Sequence, residues 1–347
     1  MLLRWFFFPF RYGFARLKKA IGKMDVIAIE PLYAFGNETR ILVQGRVVES
    51  YRQSRPSARK TYLQNMLATI RRYAGSSVPE AKVEVEYQGA VQVLESDADG
   101  IFHTSFDRRE SPVIGNESIY FRLLPEEGLR PEQEKVKFGV QCHASDHPRG
   151  IISDVDDTIL ISHATRVGRK FWLSISKNAY TRRPFPGVSA FYKALTRHGE
   201  HPVFYISSSD WNLLDLIRDF LDYRNIPQGT MLLKDLHVDL KNIWKSGGGS
   251  HQHKLEKVEL LMELFPGMKF ILIGDSGQHD PELYAEVITQ HPGRILAVYI
   301  REIRVMSDQR RELLEARLKD PDAPSVVFVK NTREAMDHAK AHSFISQ

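Results

Sequence analysis

From residue 150 onward, short apolar runs recur with longer, helix-prone stretches between them. The runs are Gly150 to Ser153, Val203 to Ile206, Thr230 to Leu233, Phe270 to Ile273, Ile295 to Ile300 and Val326 to Val329. Such alternation predicts βαβ units, hence a mostly parallel sheet with helices on both faces. The half before it follows another pattern. Val26 to Ile29, Ile41 to Val48, Val83 to Tyr87, Val91 to Leu94, Ile101 to Phe106, Ile119 to Leu123 and Val136 to Gln141 are short β-prone segments, many set apart by turn residues. This predicts a small β-sandwich of immunoglobulin or transthyretin type. A helix is expected as an insertion, from about Thr61 to Tyr73. The pattern changes after His147-Pro148-Arg149-Gly150. The expected organisation is therefore a segment 1–24, a β domain 25–148 and an α/β domain 149–347.

Segment 1–24 is aromatic and basic. Trp5 to Phe10 are followed by Arg11, Arg16, Lys18, Lys19 and Lys23. Its apolar run falls well short of the roughly 20 residues of a spanning helix. The main basic cluster follows the apolar part, the reverse of a secretory signal. Aromatic rings beside cations suit a segment lying in an anionic membrane surface, on a cytoplasmic protein held peripherally. A tail or a strand packing on the first domain fits the same residues. The formal charge of +5 mildly favours anionic partners. No zinc finger, helix-turn-helix or RNA-binding signature accompanies it, so no nucleic acid is expected. The single cysteine, Cys142, excludes an intrachain disulfide and a multi-cysteine zinc site, and reads as a small buried hydrophobe. The turn Asp97-Ala98-Asp99-Gly100 reads as a hairpin. As a calcium loop it lacks the final bidentate glutamate, because Phe106 stands there.

Three of the strand ends carry chemistry. The first runs into Ser153-Asp154-Val155-Asp156-Asp157-Thr158. Ligands of α/β sheets bind beyond the carboxyl ends of strands, and alternate residues of an extended segment face the same way, so Asp154 and Asp156 converge. Two close carboxylates call for a cation or a shared proton, and Mg²⁺ prefers oxygen ligands and phosphate. The run alone also fits an acidic loop or a helix cap. A second strand ends in Ser207-Ser208-Ser209, where a hydroxyl can donate to a phosphoryl oxygen. Ser209 or Asp210 is then available to cap the following helix. The third ends in Gly274-Asp275, with Asp280 close behind, and Gly274 suits a tight backbone approach. Lys254 opens the helical stretch Leu255 to Leu264, where it either faces a phosphate or is a solvated helix residue. The loop Ser246-Gly247-Gly248-Gly249-Ser250 before it is expected to be flexible.

In this order the strand ends and the lysine resemble the four-motif signature of the haloacid dehalogenase superfamily, over about residues 150–335. The strings SDVDDTIL, ISSSDWNL, IPQGTMLLKD, HKLEKVELLMELFP and IGDSGQHDPELY are similar to the actin-patch type of Mg²⁺-dependent phosphatidate phosphatase and its bacterial relatives. Asp210 departs from that family's Ser-x-Ser-Pro-Trp pattern, where a proline is expected.

The resemblance implies roles. Asp154 is the nucleophile that forms an aspartyl-phosphate, and Asp156 the acid and base. Ser207 and Lys254 bind the transferring phosphoryl group, with Thr158 and Ser208 as further substrate contacts. Mg²⁺ is held by Asp154, Asp156 through its backbone carbonyl, and Asp275, with Asp280 in support. Both intervening stretches, Ile159 to Pro184 and Asn212 to His253, are short for a large cap. An open site suits a bulky phosphorylated lipid, with phosphatidate as the implied substrate. A soluble or protein-bound phosphoester is the alternative, and a scaffold or nucleic-acid binder with a decayed enzyme domain a further one. Arg166, Arg169, Lys170, Arg182 and Arg183 lie near the mouth in sequence. They either attract anionic lipid or form a solvated basic face.

Overall fold

A computed structural model describes residues 26–50, 77–108, 117–126, 129–161, 183–234, 249–303, 312 and 324–346. Segment 1–24, the expected helix at Thr61 to Tyr73, the basic residues Arg166, Arg169, Lys170 and Arg182, most of the stretch Ile159 to Pro184 and part of Asn212 to His253 lie outside them. Two compact units divide between Ala144 and Ser145.

Among its described residues the first unit holds nine strands: β1 Val26–Gly36, β2 Arg40–Glu49, β3 Lys82–Tyr87, β4 Ala90–Glu95, β5 Ile101–Asp107, β6 Ser118–Leu123, β7 Arg130–Pro131, β8 Val136–Gly139 and β9 Gln141–Cys142. They form two sheets, one in the order β5-β2-β1-β7 with β9 also on β1, the other β4-β3-β6-β8. The period of two decides the faces. In β3 Val83, Val85 and Tyr87 point inward while Lys82 is exposed, and in β6 Ile119, Phe121 and Leu123 do the same. These side chains share one core with Ile41, Val43 and Val47 of β2. Full burial of each contributes about 1.5–3 kcal/mol.

Two details differ from the sequence reading. The first strand does not stop at Ile29. It continues to Gly36, because a register shift between Pro31 and Tyr33 accommodates the proline that cannot donate to the ladder. The turn at Asp97 to Gly100 is not a hairpin. Its flanking strands pair elsewhere, β4 with β3 and β5 with β2, so the turn carries the chain from one sheet to the other. Asp97 Oδ1 accepts the amides of Asp99 and Ile101, and Gly100 sits at φ 73°. A Cβ at Gly100 would lie 2.5 Å from the Val47 carbonyl oxygen.

The second unit runs β10 Arg149–Asp154, α1 Val188–Leu195, β11 Val203–Asp210, α2 Leu214–Tyr223, β12 Thr230–Lys234, α3 Gly249–Leu264, β13 Lys269–Asp275, α4 Asp280–Gln290, β14 Ile295–Arg301, β15 Ser325–Val329 and α5 Thr332–Ala341. The six strands among its described residues lie in the order β12-β11-β10-β13-β14-β15, every pair parallel. Right-handed crossovers send α1 and α2 to one face and α3 and α4 to the other. Accordingly α3 packs against α4, and α1 against α5. Strands β10, β12 and β13 are buried along nearly their whole length, as two covered faces require. Gly249 and Ser250, expected in a flexible loop, belong to α3. Among the described residues no helix is long and apolar enough to cross a membrane.

This strand order fixes where a ligand can sit. The chain steps outward from β10 to β12, then returns to lay β13 on the other side of β10. The connections therefore part between β10 and β13, leaving a crevice at the carboxyl ends of those two strands.

Candidate active site

Asp154 is the last residue of β10 and Asp275 the last of β13, so both enter that crevice directly from the sheet. Asp154 is 2% exposed and Asp275 is fully buried. Asp280 opens α4 five residues after Asp275 and is also buried. Carboxylate oxygens of Asp154, Asp275 and Asp280 lie within 4.8 Å of one another. The approach depends on Gly274, where a Cβ would stand 2.7 Å from Asp280 Oδ2.

One cation sits among these acids. Lys254, on α3, donates to Asp154 Oδ1 at 2.8 Å and to Asp280 Oδ1 at 2.6 Å. It is buried, so the solvated alternative is excluded. Asp280 Oδ2 accepts the Asp275 amide, while Asp275 Oδ1 accepts the amides of Gly277 and Gln278. Burial raises the Asp154 carboxyl well above its ordinary range. Lys254 opposes this, and Asp280, Asp275 and Asp156 add to it. Asp275 is pushed up to about 7, first by burial and then by Asp280. Burial alone would lower the Lys254 ammonium, but its two carboxylate partners outweigh that and raise it.

The turn after β10 is tightly built. Asp157 takes φ 58°, and its amide donates to the Leu160 carbonyl. That turn brings Thr158 back, and its hydroxyl donates to Asp154 Oδ2 at 3.3 Å. The two oxygens of Asp154 are thus held by different partners, Lys254 and Thr158. Asp156 sits apart from the three-carboxylate cluster. Its Oδ2 accepts Ser207 at 3.2 Å and Ser209 at 2.8 Å. Its backbone carbonyl accepts Gln278 Nε2 at 3.4 Å, and the same amide reaches Asp275 Oδ2 at 3.0 Å. Ser208 is half-buried between the two serines.

Ser209 or Asp210 was expected to cap the helix that follows β11. Instead a 3₁₀ turn at Trp211 to Leu213 intervenes, and α2 starts from Leu213 without a side-chain cap. Ser209 is therefore free to face Asp156. Ser207 and Ser209 are two apart in an extended segment, so alternation carried the signal for this pairing. Gln278 gave no signal, since its contacts come from a loop returning across the crevice. Arg301 gave none either. It ends β14 and its Nε donates to the Thr158 carbonyl at 3.2 Å.

With this geometry in view, comparison with known proteins is informative. Residues 149–302 match the family of the phosphatidate phosphatase APP1 catalytic domain. That stretch, less than half of the chain, resembles the catalytic domain of a phosphatidate phosphatase. It is 31% identical to phosphatidate phosphatase APP1 of Saccharomyces cerevisiae over 159 residues, which is 46% of this chain and 27% of that protein. An uncharacterized protein of Schizosaccharomyces pombe is 29% identical over 181 residues, 52% of this chain and 29% of its own. The chain thus spans less than a third of the length of these relatives. A carbohydrate acetylesterase structure from Xanthomonas citri aligns over 88% of this chain and 69% of its own, with 12% identity. Its TM-score is 0.33, and it carries no argument.

Proposed function

We propose that this chain is a Mg²⁺-dependent phosphatase of the haloacid dehalogenase type that hydrolyses a lipid phosphomonoester, with phosphatidate as substrate and diacylglycerol as product. The observation that carries this reading is Asp154 at the end of the central strand, with Lys254 on one of its oxygens and Thr158 on the other. The match to the catalytic-domain family supplies the substrate class. On the same reading the first unit, two sheets around one core, is a β-sandwich, and segment 1–24 meets an anionic membrane surface.

The residues fit the metal. The donors are all oxygens, and three buried carboxylates stand against one ammonium, an excess of negative charge that a hard dication relieves. Asp154, Asp275 and the Asp156 carbonyl would hold it. Asp280 supports from behind, since Lys254 and the Asp275 amide already engage its oxygens. When bound, Mg²⁺ supplies positive charge against the carboxylates and the phosphoryl oxygens.

Asp154 attacks phosphorus, the bond to the lipid oxygen breaks, and Asp156 gives that oxygen its proton. Covalent catalysis divides one displacement into two easier ones. In the second step Asp156 takes a proton from water, which attacks the aspartyl-phosphate and frees phosphate and Asp154. Ser209 holds Asp156 for this by its Oδ2. Lys254, the turn at Thr158 and Ser207, whose hydroxyl swings from Asp156 to the substrate, receive the phosphoryl oxygens, with Ser208 beside them. Most of the rate comes from such positioning and charge.

The test is phosphate release from phosphatidate and from a panel of soluble phosphoesters, by the wild type and Asp154→Asn. The amide is nearly isosteric and a poor nucleophile, so the variant stays folded by circular dichroism and loses turnover. Residual activity above about one per cent, some 2.7 kcal/mol of barrier, removes Asp154 from the role. A preference for soluble over lipid phosphoesters moves the assignment to the alternative substrate class.

A further inference from the structure

Arg301 is a buried cation that the reaction as described does not use. It is 8% exposed, and no carboxylate among the described residues pairs with it. Burial lowers its proton affinity, and only the nearby Tyr192 opposes this. A guanidinium stays charged even so. Burying a charge without a counter-ion is unfavourable unless its donors find other acceptors. Those acceptors are specific. Nε donates to the Thr158 carbonyl at 3.2 Å, and Nη2 donates to Thr332 Oγ1, at the start of α5, at 2.9 Å. Its Cζ lies over the Phe185 ring, 4.1 Å from the centre.

Two of these three contacts lead back to the crevice. Thr158 is the residue whose hydroxyl holds Asp154 Oδ2. Phe185 belongs to the returning strand of chain that closes the same turn, its amide donating to the Ile159 carbonyl. On its main chain Arg301 is the register partner of Asp275, and its carbonyl accepts the Ser276 amide. One residue therefore grips the loop after β13 with its backbone and the turn after β10 with its side chain.

We propose that Arg301 is a positioning residue for the nucleophile: through Thr158 it fixes the rotation of the Asp154 carboxylate, and it registers that carboxylate against the loop that carries Asp275. This rests on the reading of Asp154 as nucleophile. Thr158 itself is held by a turn with Asp157 in the left-handed region, a conformation unfavourable for a non-glycine residue. Without the grip on its carbonyl, the turn relaxes and Asp154 spends less time aligned for attack. Misplacement of this kind lowers the rate of the chemical step and leaves ground-state binding nearly untouched. The role needs the fork of an arginine. A lysine keeps the charge, but its compact ammonium lacks the wide planar fork that reaches the Thr158 carbonyl with Nε and Thr332 Oγ1 with Nη2.

The experiment measures kcat and KM of Arg301→Met and Arg301→Lys on para-nitrophenyl phosphate and on phosphatidate in detergent micelles. Rates are expressed per folded molecule, with folding followed by circular dichroism. In both variants kcat falls about 10- to 100-fold, the scale of a misaligned reacting group, while KM moves less than about threefold. Lysine recovers less than half of the loss. A kcat per folded molecule equal to wild type means Arg301 is structural only, and the inference fails. Full rescue by lysine means that charge and not geometry matters, and it fails again. If Arg301→Met does not fold, Thr332→Val and Phe185→Leu loosen the same guanidinium at its far contacts. Each then lowers kcat about threefold or more at constant KM, and unchanged kcat in both overturns the inference. A wild type that hydrolyses no phosphoester removes the catalytic reading itself. An active wild type with wild-type-like variants removes only the role of Arg301.

Discussion

Replacing Lys254 with methionine nearly keeps the length of the side chain and, among the described residues, removes the only cation paired with Asp154 and Asp280. Two charge-assisted hydrogen bonds go with it, 2.8 Å to Asp154 and 2.6 Å to Asp280. At about 1.5–3 kcal/mol each they set a scale of about 3–6 kcal/mol. Loss of one partner from a buried ion pair gives about 3–5 kcal/mol by an independent route. For a domain of this size that lowers the melting temperature by roughly 6–20 °C. The size depends on pH in a defined direction. Burial raises the proton affinities of Asp154 and Asp275, so both shed the penalty at low pH by taking protons. The destabilisation of Lys254→Met is therefore smaller at pH 6 than at pH 8. Thermal melts of both proteins in EDTA, at both pH values, measure it. Addition of Mg²⁺ then recovers more stability in the variant than in the wild type, because the dication replaces the missing charge. A melting temperature within about 2 °C of wild type in EDTA at pH 8, less than 1 kcal/mol on this scale, refutes the reasoning. It would mean that the three carboxylates are not ionised together in the crevice.

Chelation stops turnover and Mg²⁺ restores it, and Asp275→Asn weakens the response to added metal in the same phosphate-release assay. Without metal, wild-type stability falls as pH rises through about 7, since the folded state holds the Asp275 proton longer than the unfolded chain does; urea titrations of Asp275→Asn show that slope flattened. His201 behaves in the opposite sense. Burial first, then Arg149, His147 and Arg197, lowers it from 6.5 to about 4, so its share of stability is lost as pH falls from 6.5 towards 4. His201→Asn reduces that acid loss by at most about 3 kcal/mol, one pKa unit being worth 1.36 kcal/mol. Deleting residues 1–23 leaves hydrolysis of a small soluble phosphoester nearly unchanged and sharply lowers hydrolysis of phosphatidate in anionic liposomes. High salt mimics part of that loss. Equal co-sedimentation of the truncated and full-length proteins with the liposomes sinks the membrane role of the segment.

Asp154, Ser207 and Asp275 were legible because each lies at or near a strand end, and strand ends are a local property. An apolar run followed at once by Asp154, by Ser207 or by Gly274-Asp275 announces both the strand and what it delivers. Alternation within one extended segment predicted that Asp154 and Asp156 converge, whereas Asp156 turns to Ser207 and Ser209 and stands apart from the carboxylate cluster. Local pattern could not say which strands are neighbours. The order β12-β11-β10-β13-β14-β15 sets Asp154 beside Asp275, although more than a hundred residues of chain separate them. The same limit hid the crossing of the turn at Asp97 between sheets, because pairing partners are chosen by distant strands.

Side chains of ambiguous character were decided only by their surroundings. Lys254 reads equally well as a solvated helix residue, and becomes part of the site because α3 packs with its face over the ends of β10 and α4. Ser209 reads as a helix cap, and faces Asp156 because a 3₁₀ turn delays the helix. Gln278 and Arg301 carry no motif, and owe their contacts to loops and strands that meet only after the sheet has formed. The sequence by itself determined the strands, their faces and the acids at their ends, since these follow from backbone period and burial. Neighbourhood was left to the tertiary structure, because charges, unlike apolar faces, take their meaning from whatever the fold brings within a few ångströms.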